Sequence, residues 1–494
     1  MIFILVDTLR ADRLGVYGNP RGLSPTMDAL TREGVLFERC FAPAPWTLPA
    51  VASMITSYYP TVHGATSYRQ VEDMDQGKAP RISVLSDKFV TLAEAMHERG
   101  YETAGFVANK FLKQEYGFGQ GFDHYDASYS ANTVLGEHLN AAATQWLAQR
   151  KDPSRPLFLY LHYMDTHGPY NAAAEFMDPL MQAVEQIPPG QRRVLTDNNM
   201  RTLLPYLRKP PEGPDGPRDE ERFRDLGRYW EYWQARYEAG VREMDFYLAR
   251  MIDSLKAAGL WDDAYVIFTA DHGEALCEHG YWEHGYTMFQ SDLHVPLALK
   301  WPGKLPGGVR VSHNVSLMDL FPTLAEQLGL PIEVAELQGQ SLLELVAGQA
   351  PRAERVLLAE SIKAGSPQLA LIRGDWKLIR IDQQERVTAD GRTLPRQFRD
   401  FLMNFAADPD EKASVHETHE ELTEELLRLM AEKSAALREV GATAEMVEVD
   451  PATMGSLSAV GYVGGSGAED NATSQPASAP VTQPAKDRDD DDSP

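Results

Sequence analysis

Met1-Ile2-Phe3-Ile4-Leu5-Val6, followed at once by Asp7, decides how this chain reads. An uncharged apolar run of this length suits a strand buried on both faces. The carboxylate that ends it falls where open α/β sheets gather their ligands, at the carboxyl ends of the strands. Four later runs share the texture: Tyr101–Ala108, Leu157–Tyr163, Ala264–Ala270 and Val295–Lys300, all read as buried parallel strands. Helical stretches lie between them. From about Trp230 to Ala258, the residues Tyr237, Val241, Met244, Leu248, Met251 and Leu255 step by four and three, and Gly259 follows as a C-cap candidate. The alternation predicts an α/β fold, a mostly parallel central sheet flanked by helices.

The larger domain is expected over residues 1–345. Residues 204–220 are rich in Pro and Gly and read as a surface excursion, a candidate lid. A smaller C-terminal α+β unit is expected over 346–463, with a hairpin in Leu369–Arg380 around Arg373-Gly374-Asp375 and a helix at about 418–440. Residues 464–494 carry seven acids and two bases and read as a disordered acidic tail. The 494 residues sum to −25, and the chain without that tail still carries −20. Such a surface repels phosphate backbones, so no nucleic-acid partner is expected. No apolar run is long enough for an integral membrane segment. No signal peptide precedes the first strand: the chain as it stands reads as cytoplasmic, or as periplasmic or extracellular if its natural start lies upstream. Cys40 and Cys277, the only cysteines, make no disulfide scaffold.

Three strand ends carry candidate chemistry: Asp7; Asp165-Thr166-His167-Gly168; and Asp271-His272-Gly273-Glu274. Carboxylates and imidazoles together suit a divalent ion: Zn, Mn or Fe with mixed donors, Ca or Mg with oxygens alone. His272, His279, His284 and His294 crowd into a short stretch, and each by itself reads equally as a structural histidine. Asp12 and Asp165 fit ligation or a cap or turn role equally well. Thr47, in Pro45-Trp46-Thr47-Leu48-Pro49, precedes the helical run Ala50–Thr56. It reads either as that helix's cap, with Pro49 in the first turn, or as a hydroxyl placed where an anion binds. GxxxxGK[ST], GxGxxG, GxSxG and HExxH are all missing, which removes the nucleotide-dependent kinase, simple dehydrogenase and α/β-hydrolase esterase classes.

Taken together and in order, these segments resemble the sulfatase family of the alkaline phosphatase superfamily. The likeness runs over about residues 1–463: Phe3–Asp12; Trp46-Thr47-Leu48-Pro49 with Tyr59–Gly64; Gly121-Phe122-Asp123; His167–Tyr170; Thr269–Glu274; Val295-Pro296-Leu297 with Lys300–Gly303; Asp319–Thr323; and Leu457–Tyr462. The resemblance implies a metal-dependent ester hydrolase with Asp7, Asp271 and His272 on the ion and Thr47, His167, His284 and Lys300 in catalytic roles. His279 is a further candidate for a second metal or for protonating the leaving group. Sulfatases carry Cys or Ser in a C/S-x-P-x-R motif and oxidise it to formylglycine. Here Thr47 and Val51 hold those places, so no formylglycine is expected. Thr47 with Asp271-His272 is similar instead to the superfamily's threonine-nucleophile head-group transferases. The expected function is hydrolysis of phosphate, phosphonate or sulfate esters through a Thr47 intermediate, phosphorus favoured, with Mn, Zn or Ca as the ion. The substrate is expected to be an anionic ester on a small molecule, glycan or lipid head group. The alternatives are a phosphoethanolamine- or phosphoglycerol-type transferase and a non-catalytic binding protein.

Overall fold

The computed structural model describes residues 1–69, 81–128, 136–195, 225–349, 353–361, 367–387 and 393–450, together with 212–213, 216–217 and 453. Its centre is an eight-stranded sheet in the order Val309–Ser316, Val35–Phe41, His294–Lys300, Val266–Ala270, Ile2–Val6, Leu157–Tyr163, Glu102–Val107, His124–Asp126. All five residues of the Ile2–Val6 strand are buried, as are all seven of Leu157–Tyr163, because helices cover both faces.

Register decides what the sheet presents. Ile2–Val6 pairs in parallel with Val266–Ala270 on one side and with Leu159–Tyr163 on the other, and Val6 lies level with both Ala270 and Tyr163. The residues just past these three strands therefore emerge side by side. One expectation is corrected: the strand at Val295–Lys300 starts at His294 and runs antiparallel to both of its neighbours. No crossover helix joins it to Val266–Ala270. The chain between them forms a small hairpin and a single helical turn, so it re-enters from the end it left. The long helix spans Trp230–Ala257, with Gly259 just beyond it at φ +67.

The C-terminal unit is a four-stranded antiparallel sheet, Val356–Ser361, Gln368–Arg373, Trp376–Gln383 and Gln397–Asn404. Gly374, at φ +55, makes the expected hairpin turn. Leu358, Leu371, Leu378 and Leu402 on one face pack against Leu426, Met430 and Leu437 of the helix Glu420–Val440. Ala359, Ala370, Ile372 and Ile379 on the other face join the main core. Beyond the helix, Met446–Glu448 pairs with Arg81–Ser83 of the larger domain. The acidic tail lies outside the described residues, and so does most of the excursion at 204–220. No helix among the described residues is long and apolar enough to cross a membrane.

Candidate active site

Asp7 follows the central strand, Asp271 and His272 follow its neighbour, and both carboxylates are fully buried. The turn after Val6 is tightly held. Thr8 sits at φ 58, rare for a β-branched residue, and its N–H donates to Asp271 Oδ1 at 3.3 Å. Tyr237 of the long helix donates its hydroxyl to Thr8 O at 2.7 Å and accepts from Arg10 N at 3.0 Å. Thr166 donates to Asp7 O.

Thr47 is the first residue of the helix Thr47–Thr56, and Trp46 occupies the cap position. The capping role open to Thr47 is therefore not the one adopted. Its Oγ1 lies 3.2 Å from His272 Nε2 and accepts from Asn109 Nδ2 at 3.2 Å. Asn109 also donates to Asp7 Oδ2 at 2.6 Å. His272 Nδ1 is 2.9 Å from Gly273 O and His167 Nδ1 is 2.8 Å from Gly168 O. A carbonyl can only accept, so Nδ1 carries the hydrogen in both rings, and Nε2 of the neutral ring carries the lone pair. His284 Nδ1 meets Glu274 Oε1 at 3.0 Å. The rings of His167 and His284 lie 5.1 Å apart, and those of His272 and His284 4.6 Å apart. His167 and His284, 6% and 3% exposed, form the outer side of a group whose inner members are wholly buried.

The electrostatics are those of a cation site. Asp7 Oδ1 and Asp271 Oδ2 are buried without a hydrogen bond. Burial by itself would raise Asp7, but the imidazoles of His162, His167 and His272 pull it below the ordinary carboxylate range. Burial, and then the charge of Asp7, pushes Asp271 well up. Two facing carboxylates in a dry site need a proton or a positive ion between them. Asp7, His162 and Asp271 each bring one donor atom to within 4.8 Å of the others. His272 Nε2 is 3.6 Å from Asp7 Oδ1 and 3.4 Å from Asp271 Oδ2. This mixed oxygen and nitrogen set fits a divalent ion.

Thr47, Asp7, Asp271, His272, His167 and His284 are thus brought together. Lys300 is not. It pairs with Val266 at the opposite end of the sheet, 4.9 Å above the Trp261 ring, because the antiparallel strand carries it away from the ligand end. His279 also lies apart, stacked on Phe289 at 3.7 Å between centroids. His294 serves the backbone of the neighbouring strand Val35–Phe41, at 2.8 Å from Glu38 O. Asp12 pairs with Arg10, and Asp165 accepts from Gly136 N at 2.6 Å, so neither joins the group. Cys40 lies inside the sheet, opposite Val295 and Val315. A cavity of about 1240 Å³ lined by Arg10, Glu278, Tyr281, Phe289, Arg399 and Phe401, among others, lies between the larger domain and the C-terminal sheet and does not reach Thr47.

Two residues of the group escaped the reading of the sequence. Asn109 stands two positions past the strand Glu102–Val107, where the strand-end rule applied to that strand would have found it. His162 is the one histidine inside the apolar run Leu157–Tyr163, Nε2 3.5 Å from Asp7 Oδ2. An imidazole inside a buried strand was the available clue.

A family model described as Sulfatase matches residues 1–330, and one described as N-sulphoglucosamine sulphohydrolase, C-terminal, matches 277–434. The chain is 27% identical to the steryl-sulfatase of Mus musculus over 429 residues, 72% of this chain and 66% of that protein, just under two thirds of its length. Among solved structures it resembles a protein in complex with its substrate D-glucosamine-2-N,6-O-disulfate, with TM-score 0.67 and 17% identity over 89% of this chain and 98% of that one. It also resembles the phosphonate monoester hydrolase of Agrobacterium radiobacter, with TM-score 0.61 and 20% identity over 91% and 99% of the two chains. These likenesses establish the α/β fold with its smaller C-terminal sheet.

Proposed function

The chain belongs to the sulfatase family and is a hydrolase of that family, and on that premise we propose that it cleaves anionic phosphorus or sulfur esters through a covalent intermediate on Thr47. The observation that carries the reading is the setting of Thr47 Oγ1. It is buried, held by Asn109, which also donates to Asp7, and lies 3.2 Å from His272 Nε2.

Asp7, Asp271 and His272 would hold a divalent ion, with His162 against Asp7. Mn or Zn suits this donor set better than Ca. The ion, when bound, supplies positive charge that lowers the pKa of the Thr47 hydroxyl and offsets charge on the ester oxygens. The Asn109 N–H, a donor to Thr47 Oγ1, stabilises the alkoxide as it develops. Thr47 releases its hydroxyl proton to water, Oγ1 attacks the central atom, the new O–P or O–S bond forms as the bond to the ester oxygen breaks, and that oxygen departs. His284, braced by Glu274, and His167 are the groups on the outer side to protonate that oxygen, each from its imidazolium form, since Nε2 of the neutral ring carries no hydrogen. Water hydrolyses the ester on Thr47 and restores the hydroxyl.

Chemistry favours phosphorus. A formylglycine hydrate has a second hydroxyl with which to expel sulfate by elimination, and Thr47 has only one. With an ion bound, the site would also match the larger negative charge of a phosphate monoester. Diesters and phosphonate monoesters carry one charge, like a sulfate ester, and are favoured only by the missing second hydroxyl. Relatives whose names or titles specify a steryl sulfate and a glucosamine disulfate support a sulfated small molecule or glycan as the competing substrate class. The test is a panel of aryl phosphate mono- and diesters, phosphonates and sulfates assayed with Mn, Zn and Ca in turn. No turnover of any ester with any ion rejects the reading.

A further inference from the structure

We propose that the C-terminal sheet sets the catalytic histidines in place through the buried pair Lys377–Glu411, with Gln290 as the link; this rests on the reading of His272 and His284 above. Lys377, on the strand Trp376–Gln383, and Glu411 both have wholly buried side chains, and Lys377 Nζ is 2.8 Å from Glu411 Oε1. The other carboxylate oxygen, Oε2, accepts the Gln290 N–H at 2.7 Å, and Lys377 Nζ donates to Gln290 Oε1 at 3.3 Å.

Gln290 opens the single helical turn Gln290–Leu293. The next two carbonyls of that turn hold the catalytic strand end: Ser291 O accepts from Glu274 N and Asp292 O from Gly273 N, each at 2.8 Å. The approach is so close that a Cβ on Gly273 would meet Ser291 O at 1.9 Å. Gly273 O receives the His272 Nδ1 hydrogen, and the Glu274 carboxylate holds His284. The same sheet grips the chain just after His284: Ser361 Oγ donates to Gly285 O at 3.1 Å and Gln368 Nε2 to Tyr286 O at 2.7 Å.

Net stability is a poor account of this pair. Desolvating two charges is costly and largely offsets their attraction, so apolar replacements are often neutral. What an apolar pair would not supply is a directed acceptor for one backbone N–H. Lys377 and Glu411 are positioning residues, since neither touches the reacting atoms.

The test compares three variants with the wild type by thermal melting, by ring ¹⁵N–¹H NMR of histidine-labelled protein, and by kcat and KM on an aryl ester. Lys377→Met/Glu411→Leu removes the charges and the acceptor. Lys377→Met/Glu411→Gln removes the charges and keeps an acceptor. Gln290→Pro deletes only the donating N–H and the side-chain link, at a first helical position where proline fits, and covers the case in which the Leu variant fails to fold. The Leu variant and Gln290→Pro are expected to move the His272 and His284 ring signals. They are also expected to lower kcat about tenfold or more with KM within about threefold, and the Gln variant recovers most of that loss. Unmoved ring signals in a folded Leu variant or in Gln290→Pro overturn the proposal. If the wild type turns over no ester while the ring signals move, positioning stands and the catalytic reading falls.

Discussion

Thr47 Oγ1 lies 3.2 Å from His272 Nε2, although 225 positions of sequence separate them. The helix Thr47–Thr56 delivers one and the end of the strand Val266–Ala270 the other, and Asn109 from a third element ties Thr47 to Asp7. A hydroxyl fixed from two sides has the pre-orientation that the proposed nucleophile needs.

Thr47→Ala is therefore expected to lower kcat by about a hundredfold or more while shifting the melting temperature by only a few degrees. Thr47→Ser keeps the hydroxyl and is expected to retain more activity than Ala. Steady-state kinetics decide it. Near-wild-type turnover by Thr47→Ala would remove Thr47 as nucleophile.

The facing carboxylates make a prediction with a change of sign. In metal-free protein, burial and Asp7 keep Asp271 protonated, a cost relative to the unfolded chain, where it ionises at neutral pH; Asp271→Asn removes that cost, so the variant melts higher than the wild type. With Mn or Zn at about a hundredfold over Kd, the wild type gains about 2.7 kcal/mol and the variant less, so the order reverses. Elemental analysis of the purified variant should show reduced metal content. Full stoichiometry in the variant would rule out Asp271 as a ligand.

For substrate preference, aryl phosphate diesters or phosphonates are expected to exceed the matching aryl sulfate in kcat/KM by about tenfold, roughly 1.4 kcal/mol of barrier. Comparable multiple turnover of the sulfate, with Thr47 shown unmodified by mass spectrometry, would reverse the preference argued from the missing second hydroxyl.

Asp165 governs a pH effect on stability. Burial pushes its carboxyl up to about 7 from the ordinary 3.8, against the opposing hydrogen bond from Gly136. The native chain thus holds a proton that the unfolded chain releases. The resulting stability is fully present below the unfolded pKa and is lost as pH rises through about 7. The contribution falls by about 1.4 kcal/mol per pH unit across that window. Asp165→Asn keeps an acceptor for Gly136 and should flatten that part of the profile in chemical denaturation between acid and neutral pH. An unchanged slope would place the titration elsewhere.

The strands and the residues that end them were legible because burial on both faces demands unbroken apolar runs, and because ligands collect at strand ends. Asp7, Asp271 and His272 could be named from that alone, and Thr47 could be flagged from its place ahead of the helical run. Family resemblance carried the roles of His167 and His284 and erred on Lys300. That error was one of direction. Val295–Lys300 is equally apolar whether the strand runs up or down the sheet, and only its pairing with Val266 at the far end sets Lys300 away from the site. The pairing of Lys377 with Glu411 was likewise invisible, since nothing in two separated charged residues announces that both will be buried. Local sequence thus determined the elements and the chemical groups they carry, because propensity and burial act on neighbouring residues. Which groups meet is a long-range matter of register and packing: the convergence of Thr47, Asn109, His162 and His272 on Asp7 and Asp271, and the hold of the C-terminal sheet on Gln290, were decided only in the folded chain.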